Sequence, residues 1–104
     1  MNTNKGYSLK EMEQLFGVLT FGSALEAERL CQNLSQKEFA KKLGISPQSL
    51  CDIEKGRRIP SVRRASKIAA VLEQSAESWI SIALSDMVRE VRPDLKVSVK
   101  KEAS

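Results

Sequence analysis

Two short helical patterns lie only three residues apart between Leu34 and Ser61, and that spacing restricts the fold more than any other feature of the chain. Ser35 followed by Glu38 forms a capping box, in which the serine oxygen accepts from an orphan backbone N–H and the glutamate reaches back to the cap. Ser46 before Pro47 marks a second helix start. The first helix, about 36 to 43, presents Phe39, Ala40 and Leu43 and stops at Gly44, which supplies a left-handed turn that other residues resist. The second, about 47 to 55, presents Leu50 and Ile53 and ends at Gly56. With only Gly44 to Ser46 between them the helices must form a tight corner. Ala40 permits a close crossing, Ile45 and Leu50 plug the angle, and the N-terminal face of the second helix is left outside.

The serine–glutamate spacing recurs at Ser8 with Glu11 and at Ser23 with Glu26, and Ser61 and Ser75 are further caps, so six short helices are expected. A helix over about 9 to 16 carries Leu9, Met12, Leu15 and Phe16, and Val18, Leu19 and Phe21 continue its apolar character into the connection. A helix over 24 to 32 offers Leu25, Ala27 and Leu30 to the core; one over 62 to 72 offers Ala65, Ile68, Ala69 and Leu72. The last, 76 to 91, carries Trp79, Ile82, Ala83 and Met87 until Pro93 forbids regular helix. The period then changes: Leu95, Val97 and Val99 alternate with Lys96, Ser98 and Lys100, the pattern of a short half-buried strand. A lone strand needs a pairing partner, either a second subunit or another protein; the other reading is a disordered tail with accidental alternation.

A chain of 104 residues is expected to form one domain, and 41% hydrophobic with 29% charged residues is enough for a core. The net charge of +4 favours an anionic partner. No apolar run approaches the roughly 20 residues of a membrane span, and Met1 to Ser8 lack a signal-peptide core, so a soluble, cytoplasmic protein without membrane contact is expected. With no histidine, no metal-type spacing of Cys31 and Cys51, no phosphate loop and no nucleophile elbow, neither an enzyme nor a metal or cofactor site is expected.

In its Leu-Ser-Gln entry, the spacing of Ala40 and Gly44, the Ser-Pro-Gln-Ser helix start, the Ile-Glu-Lys-Gly exit and the Pro-Ser restart, the chain resembles the lambda-repressor and Cro-type helix-turn-helix family, also called the xenobiotic-response-element family. The resemblance covers about 22 to 73. It implies an all-α, five-helix Cro/C1-type domain over 22–92, to which the residue pattern adds an N-terminal helical arm over 1–21 and a short C-terminal strand and tail over 93–104. The resemblance implies further that the helix 47–55 enters the major groove of double-stranded DNA, with Pro47, Gln48, Ser49 and Asp52 facing base edges. The Gln48 amide suits adenine, Pro47 suits a thymine methyl or sets the helix entry, and Asp52 either accepts from cytosine or positions a neighbouring arginine. Gln36, Lys55, Arg57, Arg58, Ser61, Arg63 and Arg64 are expected on phosphates. Arg29 and Glu54 occupy positions where the family forms an ion pair between helices.

Modules of this size read paired half-sites as two-fold dimers, which makes a homodimer the expected assembly. Trp79, Ile82, Met87, Leu95, Val97 and Val99 are the expected interface, with burial of Trp79 in its own core the alternative. Two functions share these features: a transcriptional repressor of an inverted-repeat operator, and an antitoxin that neutralises a toxin protein and represses the operon they share. No ligand-sensing domain is expected beside the module, which keeps the antitoxin in play.

Overall fold

A hydroxyl side chain starts every described helix of the computed structural model, which describes residues 19–95 and 97–102. Among the described residues the helices are α1 (Phe21–Cys31), α2 (Gln36–Leu43), α3 (Pro47–Glu54), α4 (Val62–Leu72) and α5 (Ala76–Arg89). Thr20, Ser35, Ser46, Ser61 and Ser75 each accept from the backbone N–H three residues on. Each cap satisfies one donor that the first helical turn leaves orphaned. The helix expected over 9 to 16 lies outside the described residues.

The start of α1 departs from the sequence reading. Ser23 does not cap it; Thr20 does, and Ser23 closes the box from the third helical position. Two contacts distant in sequence draw the start back. The Phe21 N–H donates to Asp86 Oδ2 at 2.8 Å. The Phe21 ring meets Trp79 edge-on, with centroids 5.1 Å apart. A carboxylate at a helix N-terminus also complements the helix dipole. The inward stripe of α1 therefore runs Phe21, Gly22, Leu25, and Leu30, expected inside, is 61% exposed. Phe21, assigned by the sequence to an arm, belongs to the core.

That core joins all five helices through Phe21, Leu25, Phe39, Ala40, Leu50, Ile53, Ala65, Ile68 and Trp79. Trp79 thereby leaves the expected dimer surface: its ring is buried and its Nε1–H donates to Gln74 Oε1 at 2.9 Å. Ile82 and Met87, from the same expectation, are half-buried, and Leu95 is exposed.

No strand is present among the described residues. The alternation near the C-terminus is real but is met by a helix. Val97 and Val99 are half-buried and Ser98 and Lys100 exposed. The Val97 N–H donates to Ser85 Oγ at 3.1 Å, that hydroxyl donates back to the Val97 carbonyl at 3.0 Å, and the Val99 N–H donates to Ser81 Oγ at 2.9 Å. Two residues of extended chain advance about 6.6 Å, and four residues of helix rise about 6 Å. The tail therefore runs back along α5 with its N–H groups in step with two serines one turn apart, which removes the need for a ladder.

Gly22 brings α1 close against the carbonyls that end α3. A Cβ there would collide with the Ile53 carbonyl oxygen and stand 3.0 Å from that of Glu54. Alanine in a helix interior ordinarily gains roughly 0.5–1 kcal/mol over glycine. Here overpacking against rigid backbone should outweigh it by about 1–3 kcal/mol. Gly22→Ala is thus expected to lower the melting temperature in a circular-dichroism melt; a rise would show that α1 and α3 part without cost.

Candidate nucleic-acid interface

The corner between α2 and α3 is closed by backbone geometry. Gly44 has φ 76°, its N–H donates to Lys41 O at 3.2 Å, and the Ile45 N–H donates to Ala40 O at 3.0 Å. These bonds satisfy two carbonyls at the end of α2 and let Ile45 turn back onto the core. Pro47 then occupies the first turn of α3, where its missing N–H costs nothing. Leu50 and Ile53 are buried, Pro47 and Gln48 are exposed, and Ser49 is half-buried. One side of α3 is thus anchored and its N-terminal face is open to a partner.

The angle of α3 is held by a carboxylate. Arg29 of α1 grips Glu54 in a two-point fork, Nε to Oε2 at 2.8 Å and Nη2 to Oε1 at 3.2 Å. Arg29 Nη1 also donates to the Leu34 carbonyl at 3.0 Å, and Gln36 Nε2 donates to Glu54 Oε1 at 2.9 Å. α1, the loop after it, α2 and α3 therefore meet at one charge pair. The Glu54 side chain is 2% exposed and that of Arg29 13%. The hydrogen bond that Arg29 donates to Glu54 is the main cause that holds the guanidinium above its ordinary pKa. A pKa raised from an already high value keeps Arg29 charged at any pH near neutrality. Gln36 commits one amide hydrogen to Glu54 and retains the other.

Lys55, Arg57, Arg58, Ser61 and Arg63 are exposed, and Arg64 is half-buried. They occupy the loop after α3 and the first turn of α4, so they border the open face of α3. Asp52 sits within that face: its Oδ1 accepts from Gln48 Nε2 at 3.0 Å and from Arg57 Nε at 3.2 Å. Arg57 Nη2 lies 3.7 Å from Cys51 Sγ. The link from Gln48 to Asp52 joins two residues expected to face bases separately, although four residues of spacing within one helix is a signal for it. The bond from Gln36 to Glu54, 18 residues apart, carries no such signal.

A compact helical domain with a protruding, polar helix start and a basic loop beside it defines a helix-turn-helix module. The family model described as "Helix-turn-helix" matches residues 25–79, and the chain belongs to this lambda-repressor and Cro-type family. An uncharacterised HTH-type transcriptional regulator of Methanocaldococcus jannaschii is 49% identical over 45 residues, spanning 43% of this chain and 68% of that protein. An uncharacterised HTH-type transcriptional regulator of Bacillus subtilis is 40% identical over 57 residues, 55% of this chain and 83% of its own length. The ImmF control region 10 kDa protein of Bacillus phage phi105 is 41% identical over 51 residues, 49% of this chain and 57% of its own length. No solved structure matches the chain.

Removing the Glu54 carboxylate would strand Arg29 in a nearly dry site. Glu54→Ala is expected to cost about 1–3 kcal/mol, read as a lower denaturant midpoint; an unchanged midpoint would reject the pair as a stabilising contact. Glu38 provides a pH-dependent element at the start of α2. Hydrogen bonds from the Ser35 N–H and then its hydroxyl hold the Glu38 carboxyl below its ordinary 4.5. A depressed folded pKa contributes stability that is present above the ordinary carboxylate value and lost as the pH falls from there through the lower, folded value. Glu38→Gln should flatten that part of the pH dependence of the melting temperature, and a curve identical to the parent's would show that the box is indifferent to charge.

Proposed function

We propose that the chain is a sequence-specific DNA-binding transcriptional regulator that acts as a dimeric repressor of an inverted-repeat operator. The observation that carries this reading is the open N-terminal face of α3, with Gln48 exposed, bordered by Lys55, Arg57, Arg58, Ser61 and Arg63. A helix presented in this way suits a major groove, and cations beside it suit the two phosphate rails. The family assignment supports the same reading, as do relatives whose names describe transcriptional regulators.

In this reading Gln48 contacts adenine through its amide, while Pro47 and Ser49 fit the groove on either side. Lys55, Arg57, Arg58, Ser61, Arg63 and Arg64 contact phosphates, joined by Gln36 through its remaining amide hydrogen and the N-terminal end of α2. Dimerisation uses the outer side of α5 and the tail, where Ile82, Met87, Val97 and Val99 are only half-buried and Leu95 is 43% exposed. Such a reader works in the compartment that holds the DNA, the cytoplasm; no helix among the described residues is long and apolar enough to cross a membrane. The antitoxin reading draws no support from the named relatives.

Fluorescence anisotropy against the DNA upstream of its own gene, with a scrambled duplex as control, tests the proposal. Binding is expected to be selective, to take two protomers per site and to weaken steeply with salt as phosphate contacts release counterions. Arg57→Ala should weaken binding to all duplexes. Gln48→Ala should relax preference at one base position by about 1–3 kcal/mol. Equal losses on every sequence for Gln48→Ala would remove its role as a reader.

A further inference from the structure

We propose that Asp52 is a positioning residue: it reads no base itself, but fixes the direction of the Gln48 amide and ties it to Arg57. The inference rests on the reading of α3 as the groove-entering helix and assigns the origin of its specificity.

Gln48 and Asp52 stand one turn apart on the same side of α3, and Arg57 reaches them from the following loop. One oxygen, Asp52 Oδ1, accepts from both Gln48 Nε2 at 3.0 Å and Arg57 Nε at 3.2 Å. The main chain of the same residue fastens the loop, since its carbonyl accepts from the Arg57 N–H at 2.8 Å and the Arg58 N–H at 3.2 Å. Residue 52 thus organises the glutamine by its side chain, the arginine by both side chain and backbone, and the loop by its carbonyl.

Electrostatics separates positioning from reading. A carboxylate projecting into a groove would face phosphates of its own sign. Here the Asp52 side chain is 22% exposed and lies beside the Arg57 guanidinium, whose side chain is 56% exposed. The cation is the outer partner and the anion the sheltered one. Oδ1, already accepting two hydrogen bonds, is a poor target for a cytosine amino group.

A glutamine amide can present its oxygen and nitrogen in either order, and a base edge is read by that order. A carboxylate only accepts, so it holds the amide nitrogen and repels the amide oxygen. With Asp52 in place, Gln48 offers its carbonyl and its second N–H in one order only. An asparagine at this position, able both to donate and to accept, would let the amide turn over at nearly unchanged volume.

The test uses the full chain and duplexes selected by it from a random pool, each then changed one base pair at a time. Asp52→Asn, Asp52→Ala, Gln48→Ala and the double variant Asp52→Ala with Gln48→Ala are titrated against this panel after circular dichroism has checked their fold. Asp52→Asn and Asp52→Ala are expected to lose roughly five- to tenfold of the preference at the base pair where Gln48→Ala loses it. The double variant should lose no more than Gln48→Ala alone. A loss at a different base pair, additive with that of Gln48→Ala, would make Asp52 a direct reader and overturn the proposal. So would uniformly tighter binding to every duplex with preferences intact, the signature of a mere removed charge. Gln48→Ala without effect at any position would reject the reading of α3 itself, and this role with it.

Discussion

The forked contact of Arg29 with Glu54 is the constraint on which the geometry of this molecule depends. α3 has only eight residues, too few to hold its own orientation, and its outer face must stay free of packing. Two buried residues, Leu50 and Ile53, fix how deeply it sits but leave it able to rotate about its contact. A planar guanidinium that meets both oxygens of a carboxylate removes that freedom, because a two-point hydrogen bond tolerates little angular change. The further bonds to the Leu34 carbonyl and from Gln36 extend the same constraint to the loop and to α2. A buried pair of this kind is weak evidence for net stability; its stronger effect is on which geometry is allowed.

A second junction closes the domain from the other end. Phe21, the first residue of α1, lies against Trp79 of α5, and its N–H is held by Asp86, which also accepts from Arg89 Nη1 at 2.9 Å. Gly22, the next residue, lets α1 descend onto the carbonyls that end α3. The support for α3 thus passes through α1 to α5, and the tail lies along α5 on the hydroxyls of Ser81 and Ser85. The proposed reading face and the proposed dimer face are therefore joined by a short, packed path of helices.

Much of this was legible in the residues because it is local. Ser35, Ser46, Ser61 and Ser75 each satisfy a donor three residues away, so their caps are written into adjacent sequence. Gly44 is the residue that tolerates a left-handed turn, and the bounds of α2 and α4 agree with the sequence pattern because helical period and cap coincide there. The positions of Gln48, Lys55 and Arg57 on or beside the open face follow from their spacing from Leu50 and Ile53 within one helix and its exit loop. The resemblance to a known family supplied the pairing of Arg29 with Glu54, which period and spacing alone would not, since the two are 25 residues apart.

The sequence by itself determined where helices begin and end when the deciding partner is three or four residues away, and which face of each is apolar. Tertiary structure decided the rest. Local spacing points to Ser23 with Glu26 as the start of α1, but the helix is capped by Thr20, which places Phe21 against Trp79 and its N–H on Asp86. Val97 and Val99 alternate as a strand would, yet their N–H groups find hydroxyls on α5, a partner that exists only once the helix is in place. Cap hydrogen bonds and side-chain period are fixed by neighbours along the chain, whereas burial and competing partners depend on which surfaces the fold brings together.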